Sequence, residues 1–319
     1  MHSDRSTAVI ITARNAAATA VRAIESALAQ GPVSEVVFVD DGSTDATSEV
    51  AAATDDGTGR LKIIRLSENR GPAHGRNTAI AASSAPFLCI LDADDFMGEG
   101  RIDALFEAGA EGEWDLLADD QLFCEGPDPD RVFDRLLAEG APVPFDLDLS
   151  AFAVGNLPRR DRPRRELGFL KPLIRRAFVD AHAIRYDERL RLGEDLLYYA
   201  RCLIEGGRFR VVPACGYYAV QYPGSLSGHH RTEDVARLHE ALVAFEAEQR
   251  GLGRSVGALP RYTRSTRNNL ALRRALDMKR QAGWPGLLKA VRESPASLPY
   301  IFARVAQDKL SPAPARRPA

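Results

Sequence analysis

Between residues 8 and 118 the chain alternates short apolar runs with helix-patterned stretches, and few folds satisfy that order. The runs at 8–11, 35–39, 61–66 and 87–91 have strand length, and the stretches at 17–29, 45–53 and 75–83 space their apolar residues as helices do. Strands joined through helices need crossovers, so the pattern predicts a mainly parallel sheet flanked by helices, with right-handed connections. A helix over 101–109 and a strand over 114–118 close this part. The glycine and proline cluster at 126–130 sets a boundary near residue 120.

Beyond residue 133 the pattern is less regular. Helices are expected over 175–182 and 194–205, strands over 209–213 and 216–220, and helices over 235–248 and 262–281. The ending SPAPARRPA reads as a flexible tail.

Two of the apolar runs end in acids. VFVDDGSTD places Asp40 and Asp41, and FLCILDADDF places Asp92, Asp94 and Asp95, at the carboxyl ends of strands, where open α/β sheets receive ligands. Clustered like charges are costly beside a core, so a cation or a cationic ligand is expected among them. Two acids one residue apart on an extended strand point the same way, which suits joint work on one ion.

With AVIITARNAA before these segments and NRGPAHGRNTAI between them, the first hundred residues resemble an inverting family 2 glycosyltransferase of the GT-A fold, in which LDADDF carries the DXD metal motif. LGEDLLYYA resembles the acidic pair near that family's catalytic base. DDGTGRLKII, RRELGFLKPLIRRAF and RYDERLRLGED resemble the glucosyltransferases of succinoglycan-type exopolysaccharide assembly more narrowly. The resemblance covers roughly residues 8 to 230. It implies a nucleotide-sugar-binding part over 1–120 and an acceptor-binding and catalytic part over 121–232, and the residues beyond read as a basic helical region over 233–310 and a tail over 311–319.

It also implies roles. Asp41 accepts from the imide of uracil while Thr12 and Asn15 frame the base, and Arg14 either stacks on the base or lies on the surface. Arg76 contacts the donor diphosphate or holds the DXD carboxylates. Asp94 ligates Mg²⁺ or Mn²⁺, Asp92 meets ribose or a metal-bound water, Asp95 orders the turn or approaches the donor sugar, and His229 or His230 fills a third metal position. Asp195 is the general base, with Glu194 orienting the acceptor. Asp119, Asp120, Arg164 and Lys171 are weaker acceptor-binding candidates, Arg164 within the arginine-rich loop NLPRRDRPRRELG. The implied reaction moves a hexose, glucose from UDP-glucose, to a lipid-linked oligosaccharide.

The net charge of −2 hides a polarity. Residues 251–319 hold fourteen Lys and Arg against three acids, which leaves −13 on residues 1–250. The basic end suits an anionic membrane face or a lipid-linked diphosphate better than nucleic acid, with LPYIFARV offering Tyr300, Ile301 and Phe302 for insertion. Four dispersed cysteines form no zinc pattern and read as core thiols of a reducing compartment. Neither a secretion signal nor a spanning segment is visible, so a cytoplasmic protein, peripheral at most to the inner membrane face, is expected.

Two other classes fit parts of the pattern. A nucleotidyltransferase needs a glycine-rich triphosphate loop after the first strand, and TARNAAAT has no glycine. A non-catalytic sugar-nucleotide binder has no need of Glu194 and Asp195.

Overall fold

Val9, Ile10 and Ile11 are buried whichever way they point, as a strand covered on both faces requires. They belong to β1 (Thr7–Ala13), which lies between β2 (Val33–Asp40) and β4 (Phe87–Asp92), parallel to both, and β3 (Leu61–Arg65) extends the same parallel set. The crossovers are α1 (Ala20–Leu28), α2 (Thr47–Ala53) and α3 (Pro72–Ala81). The computed structural model describes residues 5–137, 139–158, 166–221 and 230–310, with side chains to Arg304.

The rest of the chain returns to this sheet. After β5 (Phe96–Met97) come α4 (Arg101–Ala108), β6 (Leu116–Glu125), β7 (Val132–Arg135), β8 (Phe145–Leu147) and α5 (Leu149–Gly155). Then follow β9 (Leu173–Arg175), α6 (Arg176–Ala181), α7 (Glu194–Ile204), β10 (Phe209–Gln221), α8 (Thr232–Gly251), α9 (Leu259–Glu293) and α10 (Leu298–Leu310). The main sheet order is β3-β2-β1-β4-β9-β6-β10-β5, with β7 on β6 and β8 on β10. The short β9 runs antiparallel to β4 and β6, while β6 and β10 are parallel.

Residue 120, near which a boundary is expected, lies inside β6. Residues 1–120 and 121–232 share one sheet because β9 and β10 pair back into it. The strands expected at 209–213 and 216–220 are also one strand, β10, with a register shift between Val212 and Tyr217. Pro213 has no N–H for a ladder, which favours such a break. The tail over 311–319 lies outside the described residues.

Alternation along the strands makes two cores. Ile10, Val37, Val39 and Ile90 face α3, α5, α7 and α8, and Val9, Ile11, Phe38 and Leu91 face α1 and α4. Burial on this scale, about 25 cal/mol per Å² of apolar surface, holds the strand ends where the acids stand. Cys89, Cys124 and Cys202 are buried free thiols, and Cys215 is partly exposed.

Candidate active site

The acids at the end of β2 are used within the fold. Asp40 accepts from the Ser43 amide at 2.9 Å and from the Ser48 hydroxyl, so it fixes the turn into α2. Asp41, 4% exposed, accepts from the amides of Arg70 (2.6 Å) and Gly71 (2.8 Å) and ties the entry of α3 to the sheet. Gly71 has φ +94°, a conformation that favours glycine. Asn15, itself at φ +52°, accepts from the Thr44 amide at 2.9 Å, so its amide oxygen also serves the loop. Thr12 pairs in register with Asp92, and α3 passes so close that a Cβ on Gly75 would meet its methyl.

A charged cluster forms at the end of β4. Arg76, 4% exposed on α3, donates to Glu194 Oε1 at 2.6 Å and Asp92 Oδ1 at 3.0 Å, and its Nη1 lies 3.4 Å from Asp195 Oδ1. Lys171, 3% exposed just before β9, bridges Asp92 Oδ2 at 2.9 Å and Asp195 Oδ2 at 2.8 Å. Two cations thus hold three carboxylates. Burial by itself raises the Asp92 pKa, but Lys171 and Arg76 outweigh it and bring it down to about 2. Burial likewise opposes the charge on Arg76, and Asp195, Glu194 and Asp92 more than restore it, so its pKa lies well above the usual value.

This geometry bears on two of the expected roles. Of the two alternatives for Arg76, the geometry satisfies the second, since its guanidinium is occupied by the carboxylates. Lys171, expected to meet the acceptor, is an internal counter-charge. A buried ammonium between two carboxylates is held there by Coulomb attraction.

Glu194 and Asp195 open α7, where amide groups and the helix dipole favour ionised carboxylates. Gly193 precedes them at φ +71°, where a Cβ would also run into Leu238 of α8. Among the described residues, the buried Asp195 Oδ1 accepts no hydrogen bond. The segment before α7 is pinned to α3, because Asn77 accepts from the Tyr186 amide and donates to the Tyr186 carbonyl, both at 3.0 Å. The Tyr186 ring lies under the Arg76 guanidinium at 5.5 Å and stacks on Tyr198 at 4.1 Å.

Asp94 is exposed on the turn after β4. Asp95 is buried, accepting from the Tyr217 hydroxyl at 2.8 Å and the Val220 amide at 2.9 Å, and its own amide reaches back to the Asp92 carbonyl at 3.1 Å. It therefore orders the turn. Burial first, then the negative charge of Asp94 and Asp92, pushes its pKa well above the carboxylate range.

Asp119 and Asp120, expected as weaker acceptor contacts, both make contacts within the fold. Asp119, 1% exposed, pairs with the fully buried Arg101 at 2.5 Å and accepts from the amides of Cys215 and Tyr217, where it closes the irregularity of β10. Asp120, 4% exposed, accepts from the Leu137 amide at 2.8 Å. Backbone donors and a buried cation thus take up the Asp119 carboxylate, while the second Asp120 oxygen lies 3.9 Å from Arg135. Arg164 and His229 lie outside the described residues. His230 is described, and its carbonyl accepts from Arg273 at 2.7 Å.

Sequence reading missed Tyr217, Tyr186 and Arg101, as well as the bridging role of Lys171. The one local signal was Lys171 itself, a single charge between the apolar residues of GFLKPLI. A cavity of about 390 Å³ was also not foreseen. It is lined by Arg14, Asn69, Arg191, Arg231 and Arg237, with Glu233 and Asp234. Arg14 and Asn69 place it beside the loops held by Asn15 and Asp41, and Arg231 and Arg237 bring the start of α8 to it.

Residues 8–133 match the family model described as glycosyl transferase family 2. The chain is 46% identical over 301 residues to the succinoglycan biosynthesis protein ExoU of Rhizobium meliloti (strain 1021), covering 94% of this chain and 87% of that protein. To ExoO of the same organism, also described as a succinoglycan biosynthesis protein, it is 34% identical over 302 residues, covering 93% and 84%. Among solved structures, S. aureus TarS in complex with UDP-GlcNAc superposes with a TM-score of 0.57 at 18% identity, over 92% of this chain and 81% of that one. The UDP complex of TarS gives 0.52 at 18% identity, over 88% and 74%. At such identity the likeness is one of fold, and it agrees with the expected GT-A architecture. Aligned over most of its length with relatives 46% and 34% identical, the chain belongs to glycosyl transferase family 2.

Proposed function

We propose that this protein transfers a hexose from a UDP-sugar, glucose being the first choice, to a lipid-linked oligosaccharide during assembly of an exopolysaccharide, inverting the anomeric carbon. The relatives named for succinoglycan biosynthesis support the pathway class, and the TarS complexes with UDP and UDP-GlcNAc support the donor class. The observation that carries the catalytic part is the buried Asp195 Oδ1, which accepts no hydrogen bond among the described residues, while Lys171 holds the other oxygen.

Asp195 Oδ1 takes the proton of the acceptor hydroxyl as its oxygen forms a bond to the anomeric carbon, and the bond from that carbon to the diphosphate oxygen breaks on the opposite face. Lys171 and Arg76 fix the rotamer of Asp195, and Glu194, held by Arg76, stands beside it to orient the acceptor. The nucleotide lies in the arginine-lined cavity with its base toward Asn15 and Asp41, and the guanidinium groups there suit its diphosphate.

A hard divalent ion fits the donor set at the β4 end. Asp94 is exposed and the Asp92 side chain is one-third exposed, so carboxylate oxygens stand at the mouth of this strand end. Among the described residues no group of three or more His, Cys, Asp or Glu forms a protein-only metal site, so such an ion takes further oxygens from ligand or water. Asp94, with Asp92 beside it, would hold Mg²⁺ or Mn²⁺, whose chemistry there is Lewis-acid neutralisation of the leaving diphosphate. Among the described residues no helix is long and apolar enough to cross a membrane.

The test is UDP release from UDP-glucose with and without a synthetic polyprenyl-diphosphate oligosaccharide, for wild type and Asp195→Asn. Acceptor-dependent release is expected, lowered by ~10² to 10⁴ in the variant with UDP affinity retained. UDP binding without transfer across a panel of UDP-hexoses and acceptors would support the non-catalytic binder instead. Loss in Glu194→Gln with normal turnover in Asp195→Asn would exchange the two roles.

A further inference from the structure

The basic end of the chain has a definite shape. α9 breaks at Ala282 and Gly283, the latter at φ +63°, and Pro285 stands in the first turn of the helix that restarts there. In this restarted part Gly286 and Ala290 are buried, and a Cβ on Gly286 would run into the Met278 carbonyl across the kink. The opposite side holds Trp284, 67% exposed, and one turn later Leu288, 61% exposed. Pro285, Lys289 and Arg292 are exposed around them, and the Lys279 ammonium lies 5.0 Å from the Trp284 ring. On α10, Ile301 is 3% exposed and Phe302 67%. The Tyr300, Ile301 and Phe302 expected from the sequence to insert together are therefore split, with Ile301 turned inward.

An indole and a leucine exposed side by side on a helix rimmed by long basic side chains is the composition that settles at a membrane surface, the rings entering the interface and the cations reaching the head groups. We propose that the face carrying Trp284, Leu288, Lys289 and Arg292 is a docking surface for an anionic lipid bilayer, to which Phe302 adds a second apolar contact. Charge complementarity selects the occupant. Residues 251–319 carry +11, the remaining residues −13, so an anionic surface attracts this end and repels the body. Nucleic acid would use the cations but leave Trp284 and Leu288 without an apolar medium. The inference deepens the lipid-linked-acceptor reading by naming the surface that meets the bilayer, and its evidence is independent of that acceptor.

The protein supplies its own probe, because Trp114 is buried and Trp284 is exposed. The full chain is mixed at low salt with vesicles of phosphatidylcholine alone or with a quarter phosphatidylglycerol, and followed by co-sedimentation and tryptophan emission. Binding to the anionic vesicles with a blue shift is expected. Trp284→Ala/Leu288→Ala should lower partitioning at least tenfold, and Lys289→Gln/Arg292→Gln should lower it roughly fivefold per residue at low salt. Both variants should keep wild-type UDP affinity, so failure of the donor reading would show separately as absent UDP binding. No binding at low salt, binding unaffected by either double variant, or a blue shift that follows protein concentration without vesicles, as self-association gives, would each overturn the proposal.

Discussion

Replacing Lys171 by Met removes one cation from a cluster of three carboxylates while keeping most of the side-chain volume. Its ammonium lies 2.9 Å from Asp92 and 2.8 Å from Asp195 and is 3% exposed, so no solvent compensates directly for its loss. Removing one partner of a buried ion pair costs about 3–5 kcal/mol. The lower end applies, about 3 kcal/mol, because Arg76 remains and the Asp92 side chain is one-third exposed and can take up water. The pH dependence gives a second check. Asp92 is lowered from 3.8 to about 2, so its stabilisation, roughly 2 kcal/mol before solvent screening, is present above about 4 and lost as pH falls through 2. Without Lys171 that depression weakens, and the variant is most handicapped where the carboxylates are ionised. Urea unfolding followed by circular dichroism at pH 7, 4 and 2.5 should show the deficit much the same at pH 7 and 4 and smaller at pH 2.5, where Asp92 is protonated in the variant. A deficit under about 1 kcal/mol at pH 7, or one that does not change with pH, would refute Lys171 as the counter-charge of this site.

Other expectations use different readouts. Asp94→Asn should abolish the metal-dependent part of UDP affinity in titration calorimetry and leave thermal unfolding of the free protein unchanged; wild-type affinity for UDP with metal would remove Asp94 from the ion site. Arg101→Met leaves Asp119 buried without its cation and should cost about 3–5 kcal/mol in urea unfolding. Asp119→Asn added to it should recover part of that loss, and no recovery would mean that packing around Arg101, not its charge, sets the cost.

The sequence was sufficient for whatever depends on local order. Alternating apolar runs gave β1 to β4 and their crossover helices, the acids at the ends of β2 and β4 marked the crevice, and Gly-Glu-Asp marked the start of α7, since backbone pattern and strand-end position are readable over a few residues. The two- to four-residue strands β5, β7, β8 and β9 have no such pattern, because their pairing comes from neighbours already in the sheet. The use of each charge was also beyond local reading. Asp41, expected to read a base, also accepts from the amides of residues 70 and 71, contacts that no local pattern announces. Arg76 meets Glu194 across 118 positions of chain, and Lys171 meets Asp92 and Asp195 from the opposite part of the fold. A carboxylate in a sequence carries only its charge. Which cation neutralises it, and whether any oxygen is left for a ligand, depends on distances of 3 Å that exist only once the sheet has closed, since Coulomb attraction and desolvation act through space and not along the chain.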